Sequence, residues 1–160
     1  MTSGESFAWG FALFMIVSVY GFYFAMQQFL RSSAIKKAVV ERDWIWTGDS
    51  LPMGLRVREV FGSMGEVKIS NAFQGRKGII DFVGFDCVVG EGRSRSRFSM
   101  IGACSAINCF GAEKFDSSLE VLQWDDWCVI RRTIRGVEMH RPGCFFMTAK
   151  EMVSIIDSIG

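Results

Sequence analysis

The chain has 160 residues, with 18 basic and 17 acidic side chains and a single histidine, for a formal charge of +1. So small a surplus excludes a protein that works through a broad basic or acidic field, as a sequence-independent nucleic-acid binder does. Five cysteines, two prolines and 17 glycines, without an internal repeat or a low-complexity tract, describe one folded domain rather than a disordered chain or a disulfide scaffold.

Residues 1–6 are a short tail whose only charge is Glu5. From Phe7 to Leu30 run 24 residues with no charged side chain, bounded on the far side by Arg31. At 1.5 Å per residue such a helix is about 36 Å long, enough to cross about 30 Å of hydrocarbon with some tilt. The stretch 7–30 is therefore expected to be a transmembrane helix. A cleaved signal peptide fits less well, because residues 1–6 hold no Lys or Arg and the apolar run is too long, although Ser32 and Ala34 supply a small-residue pattern beyond it. Arg31, Lys36 and Lys37 crowd the second flank. Basic residues stay on the cytoplasmic side, which predicts a cell-membrane protein with its amino terminus outside and its domain in the cytoplasm. Trp9, Tyr20 and Tyr23 suit the headgroup level. Gly21 and Ala25, at small-xxx-small spacing, mark a face through which two spans could pair as a homodimer.

Residues 31–47 read as a juxtamembrane stalk, helical to about Asp43, with Ile35, Val39 and Val40 on one face and Trp44 and Trp46 within reach of the headgroups. Residues 48–160 read as a β-rich domain with a C-terminal helix. Its linker spans Thr47 to Met53, where Gly48, Asp49, Ser50 and Pro52 favour turns, and its first strand starts near Leu55.

Two-residue periodicity then dominates. Leu55 to Phe61 and Glu66 to Phe73 alternate and are expected as paired strands, the second presenting Val67, Ile69, Asn71 and Phe73 on one face and turning at Gln74 to Lys77. Ile79 to Val89 and Arg93 to about Ile107 predict a hairpin about Glu91-Gly92. That register sets Phe85 opposite Phe98, Val83 opposite Met100 and Asp86 opposite Arg97. After a loop over Asn108 to Ser118, a second hairpin about Asp125-Asp126 pairs Leu122 with Val129 and Glu120 with Arg131, with Trp124 and Trp127 flanking the turn. Val137 to Met139 could add a short strand. Thr148 with Glu151 makes a capping box, and Met152, Val153, Ile155, Ile156 and Ile159 form an apolar helical stripe that should act as a lid on an open edge or mouth of the sheet. The predicted class is α+β: one transmembrane helix, an antiparallel domain of six or seven strands and a terminal amphipathic helix, an order shared with pleckstrin-homology-like domains.

Chemistry is harder to find in these residues. Cys104, Cys109, His140 and Cys144 could form a Cys3His zinc set, or His140 could activate Cys144 as a nucleophile, which together define the alternative of a small metal- or thiol-dependent enzyme. Buried free thiols are the plainer expectation. No phosphate loop, serine elbow, metalloprotease motif or dinucleotide fingerprint occurs. Arg93, Arg95 and Arg97 alternate, so they share one face near a hairpin tip, where they could grip anionic lipid headgroups; a solvated face with Asp86 neutralising Arg97 is the other reading. The expectation is a non-enzymatic, membrane-anchored interaction domain without a cofactor, whose partner is a protein or anionic lipid and not nucleic acid.

The run Phe73-Gln-Gly-Arg, then Asp81-Phe, Phe85-Asp86, a Gly-Glu-Gly-Arg turn, a tryptophan-containing strand pair and a terminal helix resembles small uncharacterised bacterial single-span membrane proteins with a cytoplasmic β-rich domain. The resemblance covers about the last two-thirds of the chain and implies anchorage and fold, with no activity or site residues.

Overall fold

The computed structural model describes residues 3–52, 55, 57, 61, 65–91, 95–104, 119–124, 126–132 and 144–159. Two compact units divide the chain, Met1–Ala34 and Ile35–Gly160.

Helix α1 covers Ser3–Glu41. In the first unit it is apolar on every side, and its large side chains are exposed, among them Leu13, Phe14, Tyr20 and Phe22. A helix of that kind is stable only where its surroundings are themselves apolar. It is the one helix among the described residues long and apolar enough to cross a membrane.

The second unit is built on a sheet whose strands are β1 (Ile45–Gly48), β2 (Val67–Lys77), β3 (Ile80–Val89), β4 (Ser96–Cys104), β5 (Leu119–Trp124), β6 (Trp127–Arg132) and β7 (Cys144–Phe145). The first six pair antiparallel in the order β1-β2-β3-β4-β6-β5, while β7 lies parallel to β4. Helix α2 follows over Ala149–Asp157. Central β3 and β4 are buried along most of their length, so both of their faces are apolar. On one face Phe73, Phe82, Ile101 and Ile130 pack with Ile35 and Val39 of α1 and with Met152, Ile155 and Ile156 of α2. On the other, Val83, Phe85, Met100 and Val129 pack with Leu55, Val57 and Phe61. Each such side chain contributes about 1.5–3 kcal/mol when fully buried.

Several expectations are corrected here. Ile35 and Val39, in the stretch read as a stalk, are only 2% and 1% exposed and belong to the core, whereas Val40 is 75% exposed. Trp46 and Gly48, read as stalk and linker, lie in β1, which pairs with β2. Val57 and Phe61 are helical rather than extended. Their spacing of four suits one helical face, and the alternation of the neighbouring residues hid it. Strand β2 runs through Gln74 and Gly75 to Lys77, and the turn comes at Gly78-Ile79. Gly75 is needed in the strand because a Cβ there would lie 2.6 Å from the Phe82 ring.

A bulge between Ser70 and Phe73 places one extra residue on β2. Asn71 takes the left-handed backbone that asparagine tolerates, with φ of 52°. The extra residue inverts the alternation, so Val67 and Ile69 face one core cluster and Phe73 the other.

The β3–β4 hairpin differs from expectation by two residues. Val89 pairs with Ser96, so the connection is longer than Glu91-Gly92; Phe85 faces Met100, Val83 faces Gly102 and Asp86 faces Ser99. A slip of two preserves the faces, and for that reason the apolar pattern could not detect it. In the β5–β6 hairpin Leu122 pairs with Val129, Glu120 with Arg131 and Trp124 with Trp127, as predicted. The capping box of α2 is formed: Thr148 Oγ1 accepts from the Glu151 amide at 3.2 Å, and Glu151 Oε2 accepts from the Thr148 amide at 2.7 Å. The segments 108–118 and 137–139 lie outside the described residues.

Candidate functional site

Of the three arginines singled out, Arg93 lies outside the described residues. Arg95 immediately precedes β4, and its guanidinium stands 3.9 Å from Glu66, partly neutralised by that carboxylate. Arg97 is on β4 opposite Val88, with β7 alongside. Asp86 sits opposite Ser99 in that register. It accepts 2.7 Å hydrogen bonds from Asn71 Nδ2 and from Ser99 Oγ, and Ser99 Oγ accepts one of 2.9 Å from the Met147 amide. Asp86 and Ser99 are both fully buried. This chain of bonds ties the β2 bulge, the two central strands and the approach to α2 together. Its signal in the sequence is a carboxylate, Asp86, within the otherwise apolar run Phe82 to Val89, a group that must find donors when buried.

Of the proposed zinc or thiol residues, Cys104 and the backbone of Cys144 are described. Cys104 ends β4, opposite Trp127 and Asp81, and is exposed instead of buried. Cys144 pairs with Arg97, near the start of the same strand. Seven residues of strand separate the two backbone positions, about 23 Å. Thiolates sharing one zinc ion each lie about 2.3 Å from it, so this ladder does not bring Cys104 and Cys144 to one ion. Cys109 and His140 lie outside the described residues. Among those described, no group of three or more His, Cys, Asp or Glu side chains is placed to hold a metal. Burial, reinforced by neighbouring Asp86, pushes the Cys87 thiol up to about 12, so it stays protonated and unreactive.

Gly21 and Ala25 sit one turn apart on α1, and open space surrounds the position a Gly21 Cβ would take.

Beyond the Glu120–Arg131 pair expected from the β5–β6 register, two features of the basic side chains emerge only in the fold. Within the sheet most bases meet an acid: Lys68 with Glu66, Arg76 with Asp81, Arg131 with Glu120. The Arg76 hydrogen bond holds the Asp81 carboxyl below its ordinary range. Lys36 and Arg42 instead lie over indoles, Lys36 Nζ 5.0 Å from the Trp46 ring centroid and the Arg42 guanidinium carbon 5.6 Å from that of Trp44. Trp44 is itself stacked on Phe73 at 5.6 Å and meets Phe82 edge-on at 5.0 Å. Tryptophan two and four residues beyond Arg42, just past the end of α1, is the signal available in the sequence. Comparison with family models, with curated proteins and with solved structures finds no match to this chain.

Proposed function

We propose that this is a membrane-anchored interaction protein without enzymatic activity, held by α1 and presenting its sheet domain to the cytoplasm, where the domain binds anionic lipid headgroups. The observation that carries the reading is α1 itself: its large apolar side chains from Trp9 to Leu30 are exposed, while the following unit has a core of its own. The basic flank, Arg31, Lys36 and Lys37, supports the cytoplasmic placement. A small antiparallel sheet with a helix packed on one face is the architecture that a pleckstrin-homology-like adaptor would need, and Arg93, Arg95 and Arg97 are the residues offered for headgroup contact.

The topology test uses a membrane-impermeant maleimide on intact cells. A cysteine at Ser3 should label, and exposed Cys104 should label only after permeabilisation; the opposite pattern reverses the orientation. For binding, residues 35–160, which keep Ile35 and Val39, should associate with phosphatidylglycerol vesicles in a salt-sensitive way, because screening cuts the reach of such charges to about 8 Å at physiological ionic strength. Arg93→Gln with Arg95→Gln should weaken association by about 1 kcal/mol per arginine. No vesicle binding, with a protein captured instead by the full chain in membranes, would assign the domain to a protein partner.

A further inference from the structure

We infer that Lys36, held against Trp46, forms an anionic phospholipid headgroup site at the point where the chain enters the domain. The inference rests on the membrane-anchored reading and places a lipid contact away from the arginine loop. Six residue steps lead from Leu30, the last of the apolar run, to Lys36. They span about 9 Å as helix and no more than about 21 Å in any conformation. Lys36 is thus kept near the headgroup layer by covalent connection alone.

The side chains around it are fixed by the core. Ile35 and Val39 are buried on either side of Lys36 in the sequence, the Trp44 amide donates to the Val39 carbonyl at 3.0 Å, and Trp46 pairs with Phe73 across β1 and β2. Turn and strand therefore hold the indole of Trp46 where Lys36 Nζ lies over its face. An ammonium has three N–H donors, and contact with a ring leaves others directed outward for phosphate oxygens. Among the described residues no carboxylate is within ion-pair distance of Lys36, in contrast to Lys37, which is 3.8 Å from Glu41. An uncompensated cation beside an indole is the pairing that favours an anionic headgroup over a zwitterionic one, since indole suits the interface and the free charge selects the phosphate.

The test uses the full chain in phosphatidylcholine vesicles doped with a photoactivatable lipid, either phosphatidylglycerol or phosphatidylcholine, followed by mass-spectrometric mapping of labelled peptides. The peptide containing Lys36 to Trp46 should be labelled by the phosphatidylglycerol probe in preference to the phosphatidylcholine probe. Lys36→Gln should reduce that labelling about fivefold. Lys36→Arg should keep it, and Arg76→Gln, which removes a cation already paired with Asp81, should leave it unchanged. Equal labelling by both probes, full labelling of Lys36→Gln, or loss in Lys36→Arg as well would overturn the site. Failure of the full chain to enter the membrane fraction at all would instead overturn the anchored reading on which it rests.

Discussion

Helix α1 is one element with two kinds of surroundings. Before Ala34 its large apolar side chains are exposed, Phe14, for example, at 66%; beyond that point Ile35 and Val39 are buried among Phe73, Phe82 and the apolar face of α2. Regular helical hydrogen bonding is common to both stretches, so backbone geometry does not distinguish them. The difference lies in periodicity. The first stretch is apolar on every side, as a lipid solvent requires, and the second buries Ile35 and Val39, four residues apart, while Val40 faces outward, as a folded core requires. Apolar surroundings and a folded core thus place different demands on one helix, and substitutions should separate the two.

The largest effect is expected at Ile35. Ile35→Ala should destabilise the domain by about 2–5 kcal/mol, because a buried side chain is lost and the cavity collapses only in part. Phe14→Ala should leave domain stability unchanged. Pulse proteolysis of the full chain in vesicles measures both, and equal effects would erase the distinction between the stretches.

Much of this arrangement could be read from residue pattern. The span, the β5–β6 register and the α2 capping box each rest on local rules: an uncharged run, a tight turn with charge pairing, and a Thr-x-x-Glu spacing. Where the outcome depended on contacts distant in sequence, pattern failed. The bulge at Asn71 inverted an alternation that looked continuous, and Asp86 was assigned to Arg97 because charge complementarity was visible while Ser99 and Asn71 carry no charge to advertise themselves. Ile35 and Val39 were legible as a stripe, but what covered them was not, since their neighbours Phe73 and Met152 come from far along the chain. The headgroup reading had the same difficulty. Arginines at alternating positions drew attention, whereas the contact between Lys36 and Trp46 needed the chain reversal at Asp43, a residue with φ of 54°.

The next prediction probes what holds α2 over the second stretch of α1. Ser99→Ala removes a donor to buried Asp86 and an acceptor of the Met147 amide, immediately before the Thr148 cap. The expected cost is about 1–3 kcal/mol. Hydrogen exchange should show it first in α2 and in residues 35–41, with the outer stretch of α1 unaffected; uniform acceleration over all of α1 would show that the two stretches respond together.

The smallest effect concerns pH. Burial alone would raise the Glu151 carboxyl, but the Thr148 amide, the Arg132 guanidinium and the Thr148 hydroxyl outweigh it and hold the group below its ordinary value. A carboxyl depressed on folding contributes stability that is complete above its unfolded value of about 4.3 and is lost as pH falls through the lower folded value. The charge pair is partly exposed, with 30% and 38% of the Arg132 and Glu151 side chains accessible, so its contribution should be under about 1 kcal/mol. Glu151→Gln keeps a residue able to complete the capping box while removing the charge. The variant should therefore be slightly less stable than the native chain at neutral pH, and the two should converge in acid below the ordinary glutamate range. A constant difference at every pH would assign the loss to cap geometry, and the hold of α2 on Ile35 and Val39 would then owe nothing to the Arg132 charge.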